Sequence, residues 1–437
     1  MRFGLIVPAL VLSVLSVCDS SEPLPLNETV ILEQNQQEQL ELQQQLELET
    51  LETLVEPVLG AATGTPAEIG SWGPVLDWPH VAVSMATLPD GQVLTYSGSE
   101  RRTWPTTEQT YSAVWNPATG VFQENLHQGH NMFCAAMSMT SDGQVLVNGG
   151  RNQGNSPWTT LFDYKDGEWQ TIENMASGGR WYPTSLATGS GQVLTAMGTS
   201  TNTRNPDLWD PDSGWRVLNG IDFLNMRQRN NELGRVNAFP LLSQAPNGNI
   251  FHYWDTVENH LISPLGNGEA RPANATTDGD NHAGGVQLMY DVGTLLSTGR
   301  NDGSWGGNAT GASNSAFTID LNGAVPDIRS TTNMIHNRKY HQLIPFPTGE
   351  VLVVGGNTTG VKFADSGSVM EPEVWNPQTG AWRGMANMAI PRDYHSTAML
   401  LPDGRVLTAG GGYDANDPNS GGTHQDCLLY TSPSPRD

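Results

Sequence analysis

A cysteine and a tyrosine stand at equivalent positions in two neighbouring copies of a repeated sequence segment. Cys134 lies nine residues before Gly143, and Tyr182 lies nine residues before Gly191, the matching glycine of the next copy. If the copies fold alike, the thiol and the phenol occupy equivalent places in adjacent structural units. The pair indicates a redox site built from the protein's own side chains.

A tyrosine–histidine pair has the same phase in the last copy. His395 lies nine residues before the turn residue Gly404, and Tyr394 stands directly before His395. Imidazole nitrogen binds Cu(II) well and phenolate oxygen can complete a tetragonal site, so these side chains suit copper. A thiol that lies near copper and a phenol does not stay inert under oxygen. The four side chains together therefore indicate a copper redox centre.

Each of these residues also has a purely structural interpretation. Cys134 has the size and polarity of a small buried apolar residue, which is the usual role of a single free cysteine. Tyr182 can belong to an ordinary core, and the pair Tyr340-His341 shows that Tyr-His recurs within the repeat. Taken singly, each residue fits the structural interpretation better, whereas the phase that all four share favours the functional one.

Cys134 is expected to be the single cysteine of the mature protein. Of the three cysteines, Cys18 falls within an N-terminal segment that has the pattern of a signal peptide. Cys427 opens the terminal string 427–437, which resembles sequencing-adapter readthrough at the end of an assembled transcript. Residues 427–437 are therefore predicted to be a non-native tail. A lone thiol in an exported protein requires a chemical explanation.

The N-terminal segment and the net charge indicate export and exclude some partners. Arg2 followed by the apolar run 3–17 predicts a signal peptide over residues 1–20, and hence a secreted, extracellular protein. The net charge of −24 excludes a general nucleic-acid binder, which needs a basic face. No later stretch of the sequence reaches membrane-spanning length. Four glycosylation sequons are compatible with export, at Asn27, Asn274, Asn308 and Asn357.

The rest of the chain divides into an acidic spacer and a repeat region. Residues 21–69 include a run of Glu, Gln and Leu without a sustained heptad, which favours a disordered spacer over a coiled coil. Residues 70–426 contain seven copies of an apolar run, a turn of Asp-Gly type and a Val-Leu pair, which predict hairpins. The copies are 81–98, 132–150, 181–198, 237–254, 282–299, 340–356 and 394–411, and their turn glycines recur at intervals of 45 to 57 residues.

The repeat predicts an all-β, seven-bladed kelch-type β-propeller. Glycine-ended inner strands and tryptophan-bearing outer strands with a period near 50 residues are the kelch pattern, with Trp115, Trp209 and Trp375 as the outer examples. Each unit is one four-stranded blade that cannot bury its faces alone. Because the repeat ends soon after Gly412, the last blade is predicted to be incomplete, with an open edge. In a propeller, residues of one phase on the innermost strands gather around the central axis.

Segments around the four redox residues match motifs of a known family. They are Met132-Phe133-Cys134, Gly179-Arg180-Trp181-Tyr182-Pro183, Arg392-Asp393-Tyr394-His395-Ser396, Leu401-Pro402-Asp403-Gly404-Arg405-Val406 and Gly410-Gly411-Gly412. These motifs resemble those of the copper radical oxidases, the family that holds galactose oxidase and the glyoxal oxidases. The resemblance covers residues 70–426, and Arg-Trp-Tyr-Pro in particular resembles the glyoxal oxidase branch.

The resemblance implies a role for each residue. Tyr182 would be an equatorial copper ligand that is joined to Cys134 by a thioether bond and holds a radical. Tyr394 would be the axial phenol and general base, and His395 an equatorial imidazole ligand. The cofactors would be copper and the protein-derived Cys–Tyr radical. The reaction would be the oxidation of small aldehydes, as their hydrates, or primary alcohols by dioxygen, with hydrogen peroxide as product.

Two features of the sequence depart from this family. The family has a second histidine ligand in a C-terminal domain, and His424, the last histidine here, matches nothing in that motif. We therefore expect the 437-residue chain alone to be inactive, even with copper. The galactose oxidase branch also stacks a tryptophan on the linked tyrosine, but the corresponding segment 197–200 reads Met-Gly-Thr-Ser. The sequence thus leaves the shielding of the radical unassigned.

Substrate contacts are the least specific part of the sequence interpretation. Position and residue type suggest Phe133, Trp181 and Arg271 as pocket residues. The expected partners are a small aldehyde or alcohol and dioxygen, without nucleic acid or membrane. The alternative function is a non-catalytic secreted kelch propeller that binds a carbohydrate or a protein, although such a propeller needs no Cys, Tyr and Tyr-His in one phase.

Overall fold

Short apolar runs separated by tight turns fold into antiparallel strands throughout the described chain. The structure is a computed structural model that describes residues 62–151, 155–198, 205–223, 239–253, 259–277, 285–299, 312–363, 365–412 and 423–433. Contacts divide the chain into residues 1–60 and 61–437, and all the described residues belong to the second unit. The predicted signal peptide and most of the predicted spacer lie outside the described residues.

The first four blades follow one another along the chain after a short N-terminal segment. That segment contains α1 (Pro66–Ile69), β1 (Ser71–Trp72) and β2 (Leu76–Asp77). Blade one comprises β3 (Ser84–Thr87), β4 (Val93–Tyr96), β5 (Gln109–Trp115) and β6 (Phe122–Gln128). Blade two comprises β7 (Ala136–Met139), β8 (Val145–Asn148), β9 (Thr159–Asp163) and β10 (Glu168–Thr171). Blade three comprises β11 (Thr184–Ala187), β12 (Val193–Ala196), β13 (Asp207–Asp210) and β14 (Gly214–Val217). Blade four comprises β15 (Leu241–Gln244), β16 (Ile250–Tyr253), β17 (His260–Ser263) and β18 (Glu269–Pro272).

The remaining three blades use the same plan with small additions. Blade five comprises β19 (Thr276–Thr277), β20 (Val286–Asp291), β21 (Thr294–Thr298), β22 (Ala316–Asp320) and β23 (Asp327–Ser330). Blade six comprises β24 (Gln342–Pro345), β25 (Val351–Val354), β26 (Glu373–Trp375) and β27 (Trp382–Gly384). Blade seven contains β28 (Ser396–Leu400), β29 (Val406–Gly410) and β30 (Asp426–Thr431).

The seven sheets are arranged in a ring around the innermost strands. The first strand of one blade contacts the first strand of the next, as β7 does β11, β24 does β28 and β28 does β3. All seven predicted turn glycines have positive φ angles, from 70° to 88°, as the tight hairpin turns require. The prediction of an all-β, seven-bladed propeller is confirmed.

Neighbouring blades bury each other's faces. Every residue of β4, β8, β12, β16, β25 and β29 is buried, because these second strands are covered on both sides. The tryptophans of the third strands pack across to the preceding blade, as Trp209 does against Leu146 and Trp375 does against Leu296. Burial of each such side chain contributes about 1.5–3 kcal/mol. A single blade could not bury these surfaces, so stability depends on the complete ring.

Blade seven differs from the predicted incomplete blade because distant segments supply its outer strands. β30 pairs with β29, and β1 pairs with β30 through Ser71 opposite Thr431 and Trp72 opposite Tyr430. β2 also pairs with β30, with Leu76 opposite Cys427. This sheet therefore joins the two ends of the described chain. The identity of residues 427–437 as a non-native tail stays a prediction.

Two further features concern membrane-spanning helices and glycosylation sequons. Within the described ranges, no helix is long and apolar enough to cross a membrane. Of the two sequons that the structure describes, Asn357 is buried and its side-chain amide donates to the carbonyl oxygen of Ser366 at 3.1 Å. Asn274 is exposed. Asn27 and Asn308 lie outside the described residues, so Asn274 is the described sequon that a glycan can reach.

We predict that Gly149→Ala destabilises the fold more than Gly120→Ala. Both glycines have left-handed backbones, with φ of 85° and 74°, so an alanine costs about 1 kcal/mol at either position. At Gly149 the added Cβ would also lie 2.7 Å from the carbonyl oxygen of Arg180, whereas nothing lies within 4 Å at Gly120. We expect Gly149→Ala to lower the free energy of unfolding by about 3 kcal/mol. Urea denaturation measures both variants, and equal losses would contradict this account.

Candidate active site

Three of the four predicted residues stand in left-handed turns directly before an innermost strand. Cys134, Tyr182 and His395 have φ angles of 59°, 60° and 69°. The strands β7, β11 and β28 begin within two residues of them. This backbone conformation costs about 1–2 kcal/mol for a residue with a side chain, so surrounding contacts must maintain it. Each turn precedes an innermost strand at the same end of the propeller. Residues at equivalent positions of the repeat therefore lie at the same end of the central channel.

The structure brings the side chains of all four residues together. The hydroxyl oxygens of Tyr182 and Tyr394 lie 3.2 Å apart. The backbone N–H of Tyr182 donates to the carbonyl oxygen of Cys134 at 3.0 Å, and the Cys134 thiol is hydrogen-bonded with the Tyr182 hydroxyl. The rings of Tyr394 and His395 have centroids 4.0 Å apart. A thiol, two phenols and an imidazole therefore meet at one end of the central channel.

Neither ring nitrogen of His395 forms a hydrogen bond with a residue that the structure describes. Both nitrogens are also shielded from solvent. Burial, with a smaller contribution from the positive charge of Lys362, lowers the pKa of His395 to about 3. The imidazole is therefore neutral at physiological pH, which is the form that ligates transition metals. His395 fits the role of a metal ligand.

The two phenols complete a donor set that suits copper. Burial, together with the neighbouring Cys134, raises the pKa of Tyr182 and of Tyr394 well above the ordinary value for tyrosine. Both phenols are therefore protonated unless a cation beside them stabilises the phenolate. In the described part of the chain, no three His, Cys, Asp or Glu side chains form a metal-binding group. A metal ion here would be held by two phenol oxygens and one imidazole, a set compatible with Cu(II).

Trp181 covers one face of the Tyr182 ring. The two rings are stacked, with centroids 4.5 Å apart and an interplanar angle of 25°. Phe239 lies on Tyr182 as well, with a centroid distance of 4.9 Å. The sequence pattern did not reveal this cover, because adjacent residues of a strand point to opposite faces. The left-handed turn at Tyr182 instead folds the two neighbouring rings onto each other.

Two further aromatic residues that were not predicted surround the imidazole. Trp104 is stacked on Phe133 at 4.7 Å and meets the ring of His395 edge-on, also at 4.7 Å. Phe363 contacts Tyr394 and His395, with centroid distances of 5.2 and 5.3 Å. Trp104 and Phe363 lie in loops between strands, outside the repeat phase, so spacing carried no signal for them.

A cavity of about 480 Å³ opens onto the four residues. A neighbouring cavity of about 660 Å³ shares Tyr182, Tyr394 and His395 with it. Phe133 borders both cavities and Trp181 borders the second, in keeping with their prediction as pocket residues. Cavities of this size accommodate a small molecule.

The structure does not bring the third predicted pocket residue, Arg271, to either cavity. Arg271 lies on β18, the outermost strand of blade four, and its side chain is exposed. Residue type and approximate position suggested it, and neither specifies on which strand of a blade a residue falls. His424 likewise forms its own contact, with its Nε2 3.0 Å from Oδ1 of Asp365.

The loop that carries Tyr182 is held by a fully buried guanidinium. Arg180 forms a salt bridge with Asp207 at 2.7 Å, and both side chains are 0% exposed. Its other N–H groups donate to the backbone carbonyl oxygens of Met197 and Asn205 at 2.5 and 2.7 Å. A buried charge is tolerated where its partners are complete and is costly where one partner is removed.

We predict that Asp207→Ala is far more destabilising than the loss of an exposed ion pair. The variant leaves the Arg180 charge buried without a carboxylate, which costs about 3–5 kcal/mol in the free energy of unfolding. Arg329 and Asp327 form the matched exposed pair, at 2.9 Å with side chains 53% and 42% exposed. Arg329→Ala is expected to cost less than about 1 kcal/mol. Unfolding in denaturant measures the free energy of unfolding of both variants. A similar decrease in both would show that the buried Arg180–Asp207 pair is no more stabilising than an exposed pair.

Known proteins that are similar to this chain include oxidases. A family model described as glyoxal oxidase N-terminus matches residues 296–421. Galactose oxidase of Gibberella zeae is 28% identical over 382 residues, which cover 83% of this chain and 55% of that protein. The aldehyde oxidase GLOX of Vitis pseudoreticulata is 24% identical over 307 residues, which cover 64% of this chain and 55% of that protein. The chain therefore spans about half the length of these curated relatives.

A solved structure shares the fold of this chain. A fungal alcohol oxidase of the AA5 family, in complex with copper, superposes with a TM-score of 0.75 and 26% sequence identity. The match covers 84% of this chain and 77% of that chain. Together, these matches support a copper radical oxidase family for this chain, of the galactose oxidase and glyoxal oxidase type.

Proposed function

We propose that the protein is a secreted copper radical oxidase that oxidises small aldehydes, as their hydrates, or primary alcohols with dioxygen and produces hydrogen peroxide. The observation that carries this proposal is the meeting of two phenol hydroxyls, 3.2 Å apart, with an imidazole whose nitrogens have no partner in the described structure. The names of the similar proteins, a galactose oxidase, an aldehyde oxidase and a copper-bound alcohol oxidase, support the same class. The signal peptide predicted over residues 1–20 supports secretion.

Tyr182, Tyr394 and His395 would hold the copper ion. When bound, copper supplies one-electron redox chemistry and a Lewis acid that orients the substrate oxygen. These three side chains, which would hold the ion, come from the turns before β11 and β28. The protein therefore contributes a preformed set of donors rather than one assembled on binding.

Tyr394 is proposed as the general base. Its side chain lines the 480 Å³ cavity and lies within hydrogen-bond reach of Tyr182. A substrate hydroxyl that enters the cavity can approach the Tyr394 oxygen, which takes its proton in the phenolate form. The ammonium of Lys362 lies 5.3 Å from the centroid of the Tyr394 ring, a cation–π contact that helps to orient the phenol.

Cys134 and Tyr182 are proposed to become joined by a thioether bond. The hydrogen bond between the thiol and the Tyr182 hydroxyl supports this proposal, because the bond to be formed joins the sulphur to the ring carbon beside that hydroxyl. The new C–S bond replaces one S–H and one ring C–H bond, and the two protons and two electrons pass to dioxygen to give hydrogen peroxide. Sulphur donates electron density to the ring, which lowers the cost of oxidising the phenol and allows Tyr182 to hold the radical.

Trp181 and Phe239 are proposed to protect the oxidised phenol. Both rings cover Tyr182, at centroid distances of 4.5 and 4.9 Å. They exclude water from the ring faces, which suppresses side reactions of a reactive intermediate. Phe133 and Trp181, which border the cavities, would also contact the substrate.

A non-catalytic propeller that binds a carbohydrate or a protein is the competing function. That function gives no physical reason for a thiol, two phenols and an imidazole to meet at one end of the channel. The mass of the protein distinguishes the two functions, because the crosslinked chain is two hydrogens lighter than the uncrosslinked one.

We predict that Cys134→Ser preserves the fold but removes most of the oxidase activity. The hydroxyl is close in size to the thiol, but it cannot form the thioether bond that eases oxidation of Tyr182. The protein is expressed from a full-length clone, loaded with copper under oxygen and assayed by peroxide release. Peptide mass spectrometry is expected to find Cys134 and Tyr182 linked in the wild type and separate in the variant.

Met85→Leu is the control, because it also removes a buried sulphur atom, in an apolar cluster that contains none of the four site residues. This variant is expected to keep both the crosslink and the activity. Peroxide release from Cys134→Ser at the wild-type rate would refute the mechanism. An uncrosslinked wild type without peroxide release would favour the binding propeller.

We also predict that Tyr394→Phe lowers kcat by about 10²–10⁴-fold, because the variant lacks the group that accepts the substrate proton. The fold should be unaffected, since the ring and its contacts with Phe363 and His395 remain. Tyr290→Phe is the control, in which a hydroxyl is removed near the opposite end of an innermost strand. Steady-state kinetics measure both variants, and a decrease of less than tenfold for Tyr394→Phe would exclude Tyr394 as the base.

A further inference from the structure

Two histidines of blade four lie opposite each other in the middle of the sheet. His252 on β16 and His260 on β17 are direct partners across these antiparallel strands. The side chains of such a pair lie on the same face of the sheet, and the two ring centroids are 6.0 Å apart. Neither histidine belongs to the candidate active site, whose four residues come from blades two, three and seven.

His252 is buried beside His260 in blade four. Its side chain is 4% exposed, and that of His260 is 5% exposed. Neither ring nitrogen of His252 has a hydrogen-bond partner in the described part of the chain. Buried polar groups are nearly always satisfied, and a bound ion is one of the few explanations for an exception.

Packing alone does not explain an imidazole at this position. Phe223 meets the His252 ring edge-on at 5.2 Å. Ile250 and Ile262, each two residues along from a histidine on the same strand, are fully buried in the same apolar cluster as Phe223. An aliphatic residue in place of His252 would continue this apolar face without burying two polar atoms.

The protonation state of His252 suits metal binding. Burial, with a smaller contribution from the neighbouring His260, lowers the pKa of His252 to about 3. The ring is therefore neutral throughout the physiological range, and it has a lone pair to donate.

We propose that His252 and His260 bind one divalent late transition-metal ion, such as Zn²⁺ or Cu²⁺, at a second site in blade four. Imidazole is a ligand that both ions favour. With metal–nitrogen bonds of about 2.0–2.1 Å, two imidazoles on one ion have ring centroids about 5–6 Å apart. The observed 6.0 Å fits this range. No third His, Cys, Asp or Glu ligand joins the pair within the described ranges, and water would complete the coordination. The ion would link the two middle strands of the blade.

The test measures bound zinc in the 437-residue chain that carries His395→Ala, which removes the imidazole of the other centre. After equilibration with Zn²⁺ and removal of the excess, atomic emission is expected to find zinc bound at the blade-four site. His252→Ala and His260→Ala, added singly, should each lower this bound zinc at least fivefold. His127→Ala is the matched control, because it removes an imidazole that is hydrogen-bonded to Thr171 elsewhere in the propeller, and it should retain the zinc.

A spectroscopic measurement on the parent protein covers the case in which an alanine variant does not fold. The His395→Ala chain with one equivalent of Cu²⁺ is expected to show coupling to two imidazole nitrogens in pulsed electron paramagnetic resonance. Three results would overturn the proposal: no zinc in the parent, equal zinc in folded His252→Ala and His260→Ala, or bound copper without two coupled imidazoles. None of these results depends on oxidase activity, so the second site can fail while the proposed function stands.

Discussion

The buried guanidinium of Arg180 is the interaction on which the arrangement of the site depends. Removing a permanent positive charge from water is expensive, and only complete pairing offsets the cost. The carboxylate of Asp207 and the backbone carbonyl oxygens of Met197 and Asn205 provide most of that pairing. Met197 directly follows β12, and Asp207 is the first residue of β13. The guanidinium therefore ties three chain segments together. Tyr182 follows Arg180 by two residues, so the charge pair holds the backbone close to the phenol.

The same pairing recurs in two other blades. Arg338 pairs with Glu373 at 2.8 Å in blade six, and Arg392 pairs with Asp426 at 2.6 Å in blade seven. In each case a tyrosine follows two residues later. The tyrosine of blade six, Tyr340, donates its hydroxyl to a backbone carbonyl oxygen, whereas that of blade seven reaches the phenol of blade three. The buried arginine is thus a feature of the scaffold, and the chemistry depends on which residues the scaffold carries.

Repeat phase explains why so much of the fold and of the site could be predicted. The turn glycines determine the position of each innermost strand in the sequence. Residues nine positions before these glycines therefore occupy equivalent positions on their blades. Loops do not obey this phase, and Trp104 and Phe363 reach His395 from loops. The stacking of Trp181 on Tyr182 was missed because it depends on one left-handed φ angle, which no periodicity encodes. The closure of blade seven pairs the two ends of the described chain, a contact that no local pattern contains.

In this site, rigid loops hold the side chains whose oxygen and nitrogen atoms would ligate a metal. Burial raises the pKa of Tyr182 and Tyr394 and leaves His395 neutral, with two nitrogens that have no hydrogen-bond partner among the described residues. Such groups would turn toward water or toward each other if their loops were free to move. The buried arginine pairs in blades three and seven prevent this, because they hold the adjacent turns in conformations that cost about 1–2 kcal/mol per residue. The donor atoms are therefore preorganised for a cation, which would satisfy them on binding. Because the loops are already ordered, binding of the cation would not have to offset the entropy cost of ordering them.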